Sequence, residues 1–272
     1  MSRPALKAAA AARIRAPRRA RAVRERARFL VRELAPGGPT VATYRLRNSD
    51  LVVVLRHHTP DLTALDQVFS EEIYALPPPV ARALERLGPR LRVVDLGANI
   101  GLFAAYMLGR FPQARITAFE PDPFNADILR KCVRANAATK ASWNVIEACA
   151  ATEDGTVEFF AGQYLESGLV PPHRGAASSS VPAVDVFRHL GDIDLLKLDI
   201  QGGEWAIVRD PRFPRVPATA IALEYHPQLG PSSCPREEVT RVLVDAGYTI
   251  EPFVEKAPGL GELWAWREPP NG

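Results

Sequence analysis

From residue 91 onward the chain alternates short apolar runs with longer amphipathic stretches. Leu91–Asp95 reads as a strand and Gly101–Gly109 as a helix; Arg115–Glu120 is again a strand and Phe124–Asn136 a helix. Trp143–Ala150 reads as one strand, and Thr156–Phe160 as a short one after the turn Glu153-Asp154-Gly155. A Gly-, Ser- and Pro-rich loop spans Gly162–Ser180, followed by extended residues Val181–Val186. Asp194–Ile200 is a buried strand, Glu204–Val208 starts a helix, Ala218–Tyr225 is a strand and Arg236–Ala246 a helix. Tyr248–Phe253 and Glu262–Trp266 close the chain as strands. Strands alternating with helices predict an α/β domain with a largely parallel sheet covered on both faces. Ligands of such sheets sit beyond the carboxyl ends of the strands, at the point where strand order switches. Chemistry is therefore expected just after strands.

The pattern before residue 91 differs. Thr40–Leu55 suggests two short strands around Asn48-Ser49-Asp50, Asp61–Tyr74 has helical spacing, and Val80–Leu87 forms a second helix. Pro36-Gly37-Gly38-Pro39 reads as a linker. The predicted organisation is a basic helical tail with linker (residues 1–39), a subregion that can cover an acceptor (40–90) and a ligand-binding domain (91–272). Charge sharpens this division. Residues 1–34 hold Lys7 and ten arginines against Glu25 and Glu33, a net of +9; with +3 over the whole chain, the other 238 residues carry −6. The basic character belongs to the tail, and the body offers no nucleic-acid face. Pro17 is expected to break the tail helix. Beyond it Val23, Ala27, Leu30 and Leu34 form one apolar stripe, suited to packing on the body or to an anionic membrane surface. The tail is also Arg-rich and acid-poor like an import peptide, but it has only Ser2 as a serine. Three scattered cysteines, Cys132, Cys149 and Cys234, cannot close a disulfide framework and suit a reducing, cytoplasmic home.

The strongest local signal follows the strand at 91–95: Asp95-Leu96-Gly97-Ala98-Asn99-Ile100-Gly101. Gly97 allows a tight turn and Gly101 a close approach of backbone and helix. A dinucleotide fingerprint needs G-x-G-x-x-G, and here Asn99 stands where the middle glycine belongs. Asp95 would also repel a pyrophosphate. A ligand with an ammonium and one carboxylate fits better: Asp95 attracts the cation and loop N–H groups take the carboxylate. Glu120 ends the next strand, 25 residues after Asp95, where an acid accepts both ribose hydroxyls.

Asp95-x-Gly97-x-x-x-Gly101 followed by Glu120-Pro121-Asp122-Pro123 resembles a class I S-adenosylmethionine-dependent methyltransferase, a Rossmann-like doubly wound fold. Leu196-Lys197-Leu198-Asp199-Ile200-Gln201-Gly202-Gly203-Glu204 resembles the signature of the FkbM-type members, as do Val68-Phe69-x-x-Glu72-Ile73-Tyr74 and Glu153-Asp154-Gly155. The resemblance covers roughly residues 44–266 and leaves out the tail. Gln201 departs from it, standing where the family carries a glutamate. It implies methyl transfer to a hydroxyl oxygen of a natural product or sugar. It also implies a cofactor site made of Asp95, Gly97, Ala98, Asn99, Gly101, Glu120 and Pro121, with Cys149 and Ala150 packed on the adenine. The alternative enzyme class is a nicotinamide-dependent oxidoreductase.

Catalytic candidates come from the strand-end rule. His226 has an intrinsic pKa near neutrality and suits a general base. Asp199, Glu224 and Glu204 stand near it in the sequence pattern; Asp199 can orient a ligand, and Glu204 alternatively caps its helix. Lys197, inside its strand, can pair with Asp199 or Glu224. Asp199, Glu224 and His226 also have the donor types for a divalent cation, although no tight spacing favours one. His57 and His58, adjacent on a strand, face opposite ways and read as surface residues. Trp143, Trp205, Trp264 and Trp266 read as packing residues.

Overall fold

The computed structural model describes residues 14–139, 141–171, 173, 176–230 and 234–268. Twelve strands and seven helices order them: β1 (Thr40–Arg45), β2 (Val52–His57), β3 (Arg92–Leu96), β4 (Arg115–Phe119), β5 (Ser142–Ile146), β6 (Cys149–Ala151), β7 (Gly155–Phe159), β8 (Ser179–Asp185), β9 (Leu195–Leu198), β10 (Ala220–Tyr225), β11 (Thr249–Ala257) and β12 (Leu260–Trp266). The helices are α1 (Arg26–Leu34), α2 (Asp61–Phe69), α3 (Pro78–Arg86), α4 (Leu102–Arg110), α5 (Pro123–Ala135), α6 (Glu204–Val208) and α7 (Pro235–Asp245).

Seven strands form the central sheet in the order β11-β12-β10-β9-β3-β4-β5. All neighbours from β10 to β5 are parallel, and β12 runs antiparallel to both β10 and β11. The chain winds outward through β3, β4 and β5, then returns to the other side of β3 for β9 and β10. The switch point therefore lies between β3 and β9. Alternation along the strands sorts the core onto two faces. Val93, Ile116, Ala118 and Leu195 pack under α4 and α5; Val94, Leu96, Leu196 and Leu198 pack under α6 and α7. Trp205 and Trp264 are buried as expected.

The segment predicted as one strand, Trp143–Ala150, is two. The backbone turns back where Ala148 N donates to Ile146 O (3.0 Å), and β6 leaves for a separate three-stranded sheet, β6-β8-β7.

Residues 40–90 share one hydrophobic core with the sheet. The β1–β2 ribbon is fastened to the end of α5, where Asn136 Oδ1 accepts from Val52 N (2.9 Å) and its Nδ2 donates to Val52 O (2.7 Å). The N-terminal segment differs from the expected tail in two ways. Helical residues 14–19 run through Pro17, and the buried face of α1 is Phe29 and Glu33, while Ala27 and Leu34 are exposed. The reason is polar. Glu33 reaches a buried network in which it meets Arg19 (3.5 Å) and His57 Nδ1 (3.0 Å), and Tyr44 Oη lies 2.6 Å from His57 Nε2. This rotates α1 away from the predicted stripe. It also makes His57 fully buried, against the surface reading, whereas its neighbour His58 points outward. Arg18 pairs with Asp66 and with Glu71 (2.8 Å), and Arg24 with Asp50 (2.9 Å). Residues 14–34 are thus an integral layer rather than a detachable tail. Residues 1–13 lie outside the described residues.

Removing a buried aromatic ring leaves a cavity as well as losing its burial. Phe29→Ala is therefore expected to destabilise the whole domain by about 3–5 kcal/mol, read as a cooperative shift in chemical denaturation. A loss under about 1 kcal/mol would show that the N-terminal layer is dispensable.

Candidate functional site

At the switch point two strands meet with almost no space. Gly97 follows β3 with φ +78°, and a Cβ there would lie 1.9 Å from the carbonyl oxygen of Asp199, at the end of β9. Only glycine fits. Two residues deeper, Asp95 of β3 is the register partner of Lys197 of β9. Lys197 Nζ donates to Gly97 O (2.6 Å) and Leu96 O (3.3 Å) and lies 3.5 Å from Asp95 and 3.4 Å from Asp199. Burial works against its charge, but Asp199, Tyr74 and Asp95 outweigh burial and hold its pKa above the usual lysine value. Asp199 is held below the usual carboxylate range: burial opposes this, and Lys197, His226 and Lys256 overcome it. Asp95 is raised by burial, despite Lys197.

A cavity of about 650 Å³ opens above this seam. On one side stands Glu120. Its Oε2 accepts from Asn99 N (2.6 Å) and its Oε1 from Asp122 N (2.9 Å). Burial pushes its carboxyl up to about 7, even though both backbone N–H groups favour the ionised form. Pro121, Cys149 and Ala150 line the same wall, and burial pushes the Cys149 thiol up to about 12, which leaves it no thiolate chemistry near neutrality.

On the other side, α6 and the end of β10 build a carboxylate–histidine pair. Glu204 Oε1 lies 2.6 Å from His226 Nδ1 and also accepts from Ile200 N (3.2 Å). A carboxylate only accepts, so Nδ1 carries the proton and Nε2 the lone pair. Nε2 faces the cavity, with Gln201 Nε2 at 3.0 Å, Glu224 at 3.8 Å and Asp199 at 4.0 Å. Burial lowers the His226 pKa, but Glu204, Asp199 and Glu224 more than offset it, leaving the imidazole above its usual value. Gln201 takes a left-handed backbone (φ 56°) to make its contact.

The structure therefore brings Gly97, Ala98, Asn99, Glu120, Pro121, Cys149, Ala150, Asp199, Glu224 and His226 to the lining of one cavity. Three expected residues lie behind it. Asp95 is fully buried, neither of its oxygens has a hydrogen-bond partner, and Lys197 stands on the wall in its place. Gly101 (φ +88°) packs on Leu129 and Trp143. Glu204 is buried beneath His226. The N–H groups of Gly97, Ala98, Asn99, Ile100 and Gly101 all have internal acceptors. That leaves the first turn of α4, at Leu102 and Phe103 on the wall, to receive an anionic group. Asp199, Glu204 and His226 offer ligand atoms within 4.8 Å of one another, but the Glu204–Nδ1 contact at 2.6 Å is a hydrogen bond with no room for an ion. Sequence reasoning missed Tyr74, Tyr164 and Lys256 as wall residues; Lys256 binds Glu224 (3.0 Å) from β11.

Strand order and paired strand-end acids define a Rossmann-like fold of the class I methyltransferase type. The Methyltransferase FkbM domain matches residues 95–250, and the chain belongs to this family. The matching family is one of methyltransferases, not of nicotinamide-dependent oxidoreductases. Curated relatives include Methyltransferase sdnD of Sordaria araneosa, 30% identical over 43% of this chain and 59% of that protein. AMB antimetabolite synthetase AmbE of Pseudomonas aeruginosa is 42% identical over 21% of this chain. The matches span only 59% and 2% of these two relatives' lengths. Among solved structures, Methyltransferase FkbM from Methylobacillus flagellatus KT aligns with a TM-score of 0.48 and 17% identity, over 76% of this chain and 54% of that one. Magnesium protoporphyrin IX methyltransferase from Synechocystis PCC 6803, solved with bound SAM, aligns at 0.43 with 13% identity, over 75% and 83%. Among the described residues no helix is long and apolar enough to cross a membrane.

Ribose hydroxyls donate to an ionised carboxylate, so nucleoside binding should pull the raised Glu120 pKa down. The sign follows: S-adenosylhomocysteine affinity should be highest above pH 7 and fall as Glu120 takes up its proton below it. Calorimetry between pH 6 and 8 checks this, and a flat affinity would contradict the placement of the ribose.

Proposed function

We propose that the chain methylates a hydroxyl oxygen of a small molecule, with His226 as general base. The observation that carries this is the Glu204–His226 pair, whose Nε2, contacted by the Gln201 amide, faces the cavity across from the Glu120 wall. When bound, S-adenosylmethionine supplies an electrophilic sulfonium methyl. The first turn of α4 suits its carboxylate and Glu120 its ribose, whereas Asp95, buried behind the cationic Lys197, is not placed to meet its ammonium. His226 Nε2 receives the hydroxyl proton as the acceptor oxygen becomes nucleophilic. Glu204 fixes the tautomer and stabilises the imidazolium that forms, the role of the third member of a catalytic triad. Gln201 occupies the Nε2 lone pair and has to turn aside for the acceptor. Glu204, Asp199 and Glu224 hold the imidazole above its usual value against its burial. Ala64, Gln67, Val68, Ile73 and Tyr74 from residues 40–90 close the cavity as an acceptor cover.

A divalent ion is the weaker reading. Nδ1 is spent on Glu204, and Asp199 and Glu224 each have a lysine on their second oxygen, Lys197 and Lys256. A cytoplasmic setting is supported by the free thiols of Cys132, Cys149 and Cys234. Recruitment to an anionic surface through the N-terminal layer is a secondary reading, weakened because Arg18, Arg19 and Arg24 already pair internally.

Incubation with methyl-labelled donor and a panel of hydroxyl and amine acceptors tests the reading. It expects label on oxygen, unaffected by exhaustive chelation; label confined to nitrogen would overturn it. His226→Ala and Glu204→Gln should each lower turnover by about 10²–10⁴ with S-adenosylhomocysteine affinity changed less than about threefold. Retained turnover would move the base role elsewhere.

A further inference from the structure

Residues 161–170 bend onto the elements around Glu120. Asp122 is fully buried and divides its carboxylate between two tasks. Its Oδ1 caps α5 by accepting from Phe124 N (2.8 Å) and Asn125 N (3.4 Å). Its Oδ2 accepts from Gly162 N and from Ser167 Oγ, both at 2.6 Å. Bonds to an ionised acceptor of this length are strong ones. The carbonyl of Tyr164 receives two more donors, Asn99 Nδ2 (3.1 Å) and Asn125 Nδ2 (2.9 Å). The Tyr164 ring lies under the Arg56 guanidinium, 4.9 Å from it, and Arg56 is itself fixed by Asp61 and by Asn125 Oδ1 (2.6 Å). Tyr164 holds φ at +59°, a conformation a tyrosine keeps only where its surroundings enforce it.

These bonds close a ring. Glu120 accepts from Asn99 and Asp122; Asn99 and Asn125 hold the Tyr164 carbonyl; Asp122 caps Asn125 and latches the loop. The acid facing the ribose and the loop over it are thus one hydrogen-bonded unit. Tyr164, Leu165, Ser167 and Gly168 stand on the cavity wall together with Glu120 and Cys149.

We propose that residues 161–170 form the outer wall of the nucleoside half of the cofactor site, with Asp122, Asn99 and Asn125 as positioning residues that hold it shut. The proposal rests on the cofactor reading above and deepens it: this latch sets how long the nucleoside stays bound. Its wall is made of backbone and side chains that face the adenosine rather than the acceptor.

The test is surface plasmon resonance on the full chain with two probes, S-adenosylhomocysteine and 5′-methylthioadenosine, which keeps the nucleoside and lacks the amino acid. Ser167→Ala removes one latch bond, and Tyr164→Ala removes the ring under Arg56. Each is expected to speed dissociation of both probes about tenfold, with association and the melting temperature of the free chain near wild type. Ser167→Thr, which keeps the hydroxyl, is expected to restore slow dissociation. Unchanged dissociation in both variants would overturn the latch. So would an effect on S-adenosylhomocysteine that spares methylthioadenosine, since it would put the loop over the amino-acid end. A wild-type chain that binds neither probe would overturn the cofactor reading and the latch together.

Discussion

Lys197 is the residue on which the site depends. It is a buried cation between the buried carboxylate of Asp95 and the half-buried one of Asp199, and its ammonium also holds the carbonyls that begin the glycine turn after β3. A buried charge is tolerated only when paired and hydrogen-bonded. Lys197 meets that condition for itself, and together with His226 and Lys256 it offsets the like charge between Asp199 and Glu224. Because Gly97 approaches the Asp199 carbonyl so closely, the cofactor turn and the reactive strand end are mechanically one object. Moving either strand would break the seam.

From that seam the two halves of the cavity diverge in chemistry. The β4 side is a buried acid held by backbone donors, with its carboxyl raised to about 7 and waiting for hydroxyl donors. The β10 side is an imidazole oriented from behind by Glu204 and surrounded by further acids. In the proposed function these two acids, Glu120 and Glu204, divide binding from proton transfer. That division matches the chemistry of a methyltransferase, in which the protein orients and deprotonates while the donor carries the reactive carbon.

Much of this could be read along the chain. Apolar strands ending in Asp95, Glu120, Asp199 and Glu224 announced the sheet and its carboxyl edge, and α6 lies where the pattern put it. What escaped was long-range. Nothing local shows that Lys197 pairs across to Asp95 and thereby takes its place on the wall, since their sequence separation spans a full excursion of the chain. The apolar stripe on α1 was misread because a buried salt-linked glutamate, Glu33, outweighed Leu34 in fixing the helix rotation. Asp122 caps α5 with one oxygen, and its second oxygen finds Gly162 and Ser167 only once the loop folds back.

The central claim, that one buried lysine joins both halves of the site, is tested most directly by a double-mutant cycle. Lys197→Met alone should destabilise the fold by about 3–5 kcal/mol, because it strands buried carboxylates. In an Asp95→Asn background the same substitution should cost at least about 1.5 kcal/mol less, read by chemical denaturation at pH 7. Costs that add to within about 0.5 kcal/mol would contradict the claim and make Lys197 a bystander at the seam.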